Sequence, residues 1–206
     1  MRINKKKFIY LISPNKIYPQ FYQDLKKILF TGKVALFQLR LKRYSFKQKL
    51  VIGKKIFQIC KKNSVKFIVN DNPLLSKKLN ADGCHLGQKD LKIIEARKII
   101  RNKIIGITCH NSINLAKAAI KEKANYIAFG AFFSTKTKKV KYLATTKILD
   151  KVQKLTRIPL VSIGGINLSN YKKLLLNNAN LLAISSYVWN NKKFKPLETI
   201  EKLNED

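Results

Sequence analysis

Short apolar runs rich in β-branched residues recur along the chain, and each is followed by a stretch whose apolar residues return at helical spacing. The pattern predicts strands near residues 8–12, 34–40, 66–70, 83–86, 104–108, 125–130, 159–163 and 181–185, with helices filling the gaps. The second helix is the clearest. Phe46, Leu50, Gly53, Phe57 and Cys60 follow the four-three-four-three spacing of one helix face, Lys47, Lys54, Lys55 and Lys61 take the other, and Ser45 stands in front as an N-cap candidate. Strict alternation of strand and helix implies right-handed crossovers and a parallel sheet. Eight such units favour a closed (β/α)8 TIM barrel over an open, flavodoxin-like sheet, because closure leaves no strand edge unpaired. The expectation is a single α/β domain over residues 1–206, whose longest irregular stretch, Ala131 to Leu143, follows the sixth strand.

In such a barrel the strand face beneath the helices is apolar, and polar side chains gather at the C-terminal strand ends. Strand two tests this. Ala35, Phe37, Leu39 and Leu41 share one parity, while Gln38, Arg40 and Lys42 share the other. A strand between helices cannot leave two cations dry, so an anion site at the barrel mouth is the better reading. Strand three ends in Asn70-Asp71, and strand four, Cys84-His85-Leu86, runs into Gly87-Gln88-Lys89-Asp90. Asp90 is also placed to cap a helix starting at Leu91, and Asp71 to open a turn. Two carboxylates at neighbouring strand ends, among cations, nevertheless suit Mg²⁺, which takes one or two carboxylates and completes its shell with water and phosphate.

Strand five ends in Thr108-Cys109-His110. Period two turns Thr108 and His110 inward if Ile105 and Ile107 face the helices, which points Cys109 away and argues against a Cys-His dyad. His110 reads equally as an acid or base and as a structural histidine; for His85 the structural reading is preferred. Gly164-Gly165 after strand seven and Ser185-Ser186 after strand eight fit the phosphate cradle of this architecture, although a glycine pair alone also makes a tight turn. Two anion regions are expected, one with metal and one without.

Composition narrows the classes. With 206 residues, 46% of them hydrophobic, the chain can bury one good core. The start, Lys5-Lys6-Lys7 before Phe8 to Ile12, copies a secretory signal only superficially, since Ser13-Pro14-Asn15 ends the apolar run early. No apolar stretch approaches the roughly 20 residues that cross a bilayer. Cys60, Cys84 and Cys109 lack disulfide or zinc spacing, which fits a reducing cytoplasm. Against 43 basic residues stand 11 acidic ones, a net charge of +32. Such a field attracts nucleic acid, anionic membranes and phosphorylated metabolites alike. The lysines are spread over almost every segment, so solvated faces explain them better than a nucleic-acid or membrane surface.

The motifs Gln38-Leu39-Arg40-Leu41-Lys42, Asn70-Asp71, Asp82 to Leu91, Thr135-Lys136-Thr137-Lys138 and Ile163-Gly164-Gly165-Ile166, in this order over about residues 8–189, resemble those of the thiamine phosphate synthase family. The resemblance implies a cytoplasmic transferase of thiamine biosynthesis. It would join 4-amino-2-methyl-5-hydroxymethylpyrimidine diphosphate to 4-methyl-5-(2-phosphoethyl)thiazole, or its carboxylated form, and release pyrophosphate through a carbocation. It also implies roles for single residues. Gln38, Arg40, Lys42 and Asn70 would hold the diphosphate, and Asp71 and Asp90 would ligate Mg²⁺. Thr108 stands where the family commonly has serine and would contact the pyrimidine or its leaving group. Thr135, Thr137 and Lys138 would belong to a loop closing over the phosphates, and Gly165, Ile184 and Ser185 would cradle the thiazole phosphate, with Ser186 an alternative to Ser185. Arg40, Lys42, Lys138 and Thr108 would carry the catalysis. The rivals are a thiazole tautomerase of the same superfamily and, more remotely, a nucleic-acid-binding protein. Small phosphorylated substrates are the expected partners, and a homo-oligomer is compatible with the sequence.

Overall fold

The computed structural model describes residues 7–134 and 142–203. Eight strands run in the order β1 (Ile9–Ile12), β2 (Val34–Leu39), β3 (Lys66–Asn70), β4 (Gly83–Leu86), β5 (Ile104–His110), β6 (Tyr126–Gly130), β7 (Leu160–Ile163) and β8 (Leu181–Ile184). Between and after them come α1 (Phe21–Phe30), α2 (Phe46–Lys62), α3 (Pro73–Lys78), α4 (Ile93–Ile100), α5 (Ile113–Lys121), α6 (Thr146–Gln153), α7 (Tyr171–Leu176), α8 (Ser186–Trp189) and α9 (Pro196–Glu201). Every strand pairs in parallel with its sequence neighbour, and β1 pairs with β8, so the sheet closes into the expected (β/α)8 barrel. No described helix is long and apolar enough to cross a membrane.

Strand alternation sorts the core into two layers. Ile9, Leu11, Phe37, Val69, Ile127 and Phe129 pack outward against the helices. Tyr10, Ile12, Leu36, Ile68, Tyr126, Ala128, Val161, Leu181 and Ala183 fill the barrel interior. Ala35 corrects the parity expected for strand two. The register jumps from Ile9 opposite Val34 to Tyr10 opposite Leu36, and Ala35 packs against the inner layer instead of sharing the outer face with Phe37 and Leu39.

Helix α2 begins with the capping box expected of Ser45: its hydroxyl accepts from Gln48 N, and Gln48 Oε1 accepts from Ser45 N. Its buried stripe is Gly53, Ile56, Ile59 and Cys60. Phe46 is 40% exposed and lies outside it, because the helix approaches α3 through Gly53, where a Cβ would stand 2.6 Å from Leu79 Cδ1.

One device recurs at the N-terminal end of the barrel. Asp82, Asn125 and Asn180, each just before an even-numbered strand, grip the start of the preceding strand with both backbone and side chain. Their amides donate to Phe67 O, Ile105 O and Leu160 O, and their side-chain oxygens accept from the backbone N–H of the same three residues. Asp82 also pairs with Lys66 at 2.9 Å, the one ion pair among the described residues. This acid therefore belongs to the scaffold, at the end of the barrel opposite the polar strand ends.

Candidate active site

The C-terminal ends of β1 to β5 carry the polar residues, positioned largely by backbone contacts between neighbouring strands. Asp71 sits just past β3 at φ 61°, a left-handed conformation a non-glycine residue adopts at a cost, and its N–H donates to His85 O at 2.8 Å. Asp90 does not cap a helix. Its Oδ2 accepts from Gly87 N at 2.7 Å, closing the turn after β4, while α4 starts two residues beyond Leu91 at Ile93 behind Lys92.

The two aspartates meet. Burial, and then the hydrogen bond and charge of Asp90, push the Asp71 carboxyl up to about 6, while Lys42 and the amide of Asn70 pull the other way. Carboxyl groups in contact need a shared proton or a cation to neutralise them, and a hard divalent cation with phosphate oxygens in its remaining positions fits this donor set. Among the described residues no group of three or more His, Cys, Asp or Glu side chains gathers around a metal position.

Arg40 is half-buried at the end of β2, its N–H held by Ser13 Oγ at 2.9 Å, and Lys42 is exposed beside it. Gln38 is only 3% exposed and its amide nitrogen donates to Tyr10 Oη at 2.7 Å, so that donor already serves the barrel interior. His85 is buried with both ring nitrogens engaged, Nδ1 with Tyr126 Oη and Nε2 with Thr108 Oγ1. Burial holds it down at about 4, which agrees with the structural reading of this histidine. Thr108 turns inward as expected. Cys109 packs outward, away from His110, and burial pushes its thiol up to about 12, so no nucleophilic dyad forms. The His110 ring leans on Tyr142 at 4.7 Å between centroids.

Around the ring, β7 and β8 lie opposite β3 and β4. Gly164 and Gly165 have φ of 103° and 66°, and a Cβ on Gly165 would lie 2.3 Å from Ser134 O. Glycine is required here, both by backbone conformation and by the close approach of 131–134. That segment is anchored by Phe132 N to Ile163 O and Phe133 N to Gly164 O, and Ala131 exchanges bonds with Tyr142 and Ala144. The Ile184 side chain lies in the outer core, leaving only backbone for a ligand, and the Ser185 hydroxyl donates to Ser13 O at 3.1 Å. Thr135, Thr137 and Lys138 lie outside the described residues.

Residues 9–188 match the family model described as thiamine monophosphate synthase. The chain belongs to this family. A protein of Pelagibacter ubique named thiamine-phosphate synthase is 65% identical over 206 residues, covering 98% of this chain and all of the relative. One of the same name from Rhodospirillum centenum is 40% identical over 184 residues, covering 88% and 89% of the two chains. Among solved structures, a thiamine phosphate pyrophosphorylase from Pyrococcus furiosus superposes with a TM-score of 0.85 at 28% identity, covering 97% of this chain and 94% of the other. The chain is thus an enzyme, a transferase of thiamine biosynthesis.

Within this family frame, three participants escaped the sequence reading. Tyr10 and Tyr126 looked like ordinary strand apolars, and Ser13 like the end of an apolar run. Ser13 in fact ties the ends of β2 and β8 together through its hydroxyl and carbonyl. Its position directly after strand one was the available signal.

Proposed function

We propose that this enzyme joins 4-amino-2-methyl-5-hydroxymethylpyrimidine diphosphate to 4-methyl-5-(2-phosphoethyl)thiazole, or its carboxylated form, with release of pyrophosphate and, from the carboxylated form, of carbon dioxide. The observation that carries the reading is the Asp71–Asp90 contact beside Lys42, with Arg40 at the neighbouring strand end and the glycine pair across the mouth. Asp71 and Asp90 would hold Mg²⁺, which when bound supplies positive charge to the oxygens of a departing pyrophosphate.

The chain's own groups account for the rest. Arg40 and Lys42 offset the charge that builds on the leaving oxygens as the CH₂–O bond breaks and its electron pair departs with pyrophosphate. Lys138 is assigned the same task. Asn70, at the end of β3 beside Asp71, is assigned to hold the diphosphate. Gln38 is assigned to the same diphosphate, while its amide nitrogen also donates to Tyr10 Oη. Thr108 faces the mouth to donate to the pyrimidine diphosphate. Gly165, the Ile184 backbone and Ser185 receive the thiazole phosphate, and Thr135 and Thr137 are assigned to the substrate phosphates. The thiazole nitrogen then attacks the pyrimidine carbocation, so no protein nucleophile is needed, and positioning with charge stabilisation suffices. We place this activity in the cytoplasm, where the buried free thiols of Cys60, Cys84 and Cys109 fit a reducing medium. Among the described residues no lysine or arginine is fully buried, and their dispersal fits solvation rather than a nucleic-acid or membrane surface.

The test incubates the purified chain with both substrates and Mg²⁺ and follows thiamine phosphate and pyrophosphate together. Equimolar formation is expected, with Asp71→Asn and Asp90→Asn each lowering turnover by about 100-fold or more, the scale on which removing a charge-stabilising group acts. Folded protein that forms neither product, or aspartate variants with full turnover, would overturn the proposal.

A further inference from the structure

Five side chains from five strands form one file through the barrel interior: Gln38 on β2, Tyr10 on β1, Tyr126 on β6, His85 on β4 and Thr108 on β5. Gln38 Nε2 donates to Tyr10 Oη at 2.7 Å, and the two phenol oxygens lie 2.7 Å apart. Tyr126 Oη is 2.9 Å from His85 Nδ1, and His85 Nε2 is 2.8 Å from Thr108 Oγ1. The rings are wedged as well. Tyr10 meets Tyr126 edge-on at 5.7 Å, and Tyr126 stacks on His85 at 5.6 Å.

Counting protons gives the file a direction. Tyr10 receives a proton from Gln38, so its own single proton has Tyr126 as its acceptor among the described residues. Tyr126, accepting from Tyr10, sends its proton to His85 Nδ1. The imidazole then carries its one proton on Nε2 and donates it to Thr108 Oγ1. The opposite direction would leave the Tyr10 hydroxyl proton without an acceptor in a fully buried interior, an arrangement folded proteins avoid. A doubly protonated ring would strand the Tyr126 proton in the same way.

We propose that this file is a polarised relay: it fixes His85 as the Nε2–H tautomer, so that Thr108 accepts from within the barrel and its own hydroxyl proton is directed to the mouth. Tyr10, Tyr126 and His85 are then positioning residues acting through Thr108, which deepens, and rests on, the function proposed above. The scaffold thereby presents an oriented donor to a phosphorylated substrate and saves the hydroxyl from reorganising during the reaction.

The chain has two histidines, which makes the tautomer directly readable. Nitrogen NMR on the full chain, labelled with ¹⁵N-histidine, free of substrates and assigned with His110→Gln, should show His85 with a protonated Nε2 and a bare Nδ1. A proton on Nδ1, or averaging between the two, overturns the relay. In Tyr126→Phe the two nitrogen signals should move toward each other, with kcat down about 10-fold and both KM values within twofold. Thr108→Val, which removes the donor itself, should lose about 100-fold. Wild-type kcat in Tyr126→Phe overturns the proposal; if that variant does not fold, the wild-type spectrum still decides. An Nε2–H signal in a wild-type chain that forms no thiamine phosphate would support the relay while overturning the function reading.

Discussion

Gly106→Ala is the sharpest test of how the barrel interior is packed. Gly106 stands opposite Tyr126 in the β5–β6 register. A Cβ there would lie 1.9 Å from Tyr126 Cζ and 2.2 and 2.3 Å from its ring Cε atoms, distances at which the ring has to move. The ring is not free to move: its hydroxyl is bonded to Tyr10 and His85. Overpacking a core costs about 1–3 kcal/mol. Displacing the phenol strands buried hydrogen-bonding groups on both neighbours, each at about 1–3 kcal/mol. The sum is about 4 kcal/mol or more. In a chain of this size each kcal/mol moves Tm by about 2–4 °C, so thermal unfolding followed by circular dichroism should show a fall of roughly 10 °C. Gly32→Ala is the control. No heavy atom lies within 4 Å of the point where its Cβ would stand, and only its φ of 74° resists the change, at about 1 kcal/mol. Adding Tyr126→Leu to Gly106→Ala should cost less than the two single changes summed, because the smaller side chain makes room. A Gly106→Ala protein melting within about 2 °C of the parent would refute this picture of the interior.

Two further predictions concern buried polar groups. The folded chain holds His85 at about 4, against 6.5 when unperturbed. Between those values the unfolded state binds a proton the folded state refuses, so stability falls as pH drops through this window and is untouched above it. Asp71, raised by burial and Asp90, works in the opposite sense from about 4 to 6, but cancels when the parent is compared with His85→Gln. Urea midpoints at pH 7 and 4.5 should show the variant losing less, the full effect being on the order of 3 kcal/mol, and equal losses would contradict the assignment. Ser162 Oγ is buried without a hydrogen-bond partner among the described residues. Ser162→Ala should therefore be neutral or stabilising by up to about 1 kcal/mol in urea unfolding, and a loss of more than 1 kcal/mol would reveal a partner.

The sequence by itself determined the architecture, because strand and helix periodicities are local and every unit repeats them. The predicted strands agree with the observed ones to within one residue, apart from β5, which runs on to His110. It also placed Asp71, Asp90, Arg40, Lys42 and Thr108 at one end of the barrel, since polarity at the end of a buried strand can be read from the adjacent residues alone. Only the tertiary structure decided which of these groups touch. The Asp71–Asp90 contact joins the ends of two strands, and the register jump that turns Ala35 inward depends on the pairing of β1 with β2. Tyr10 and Tyr126, separated by 116 positions, meet because closure brings β1 and β6 to face one interior. An inward tyrosine has the same period-two signature as a leucine, so its hydroxyl acquires a partner, and a role, only when the barrel closes around it.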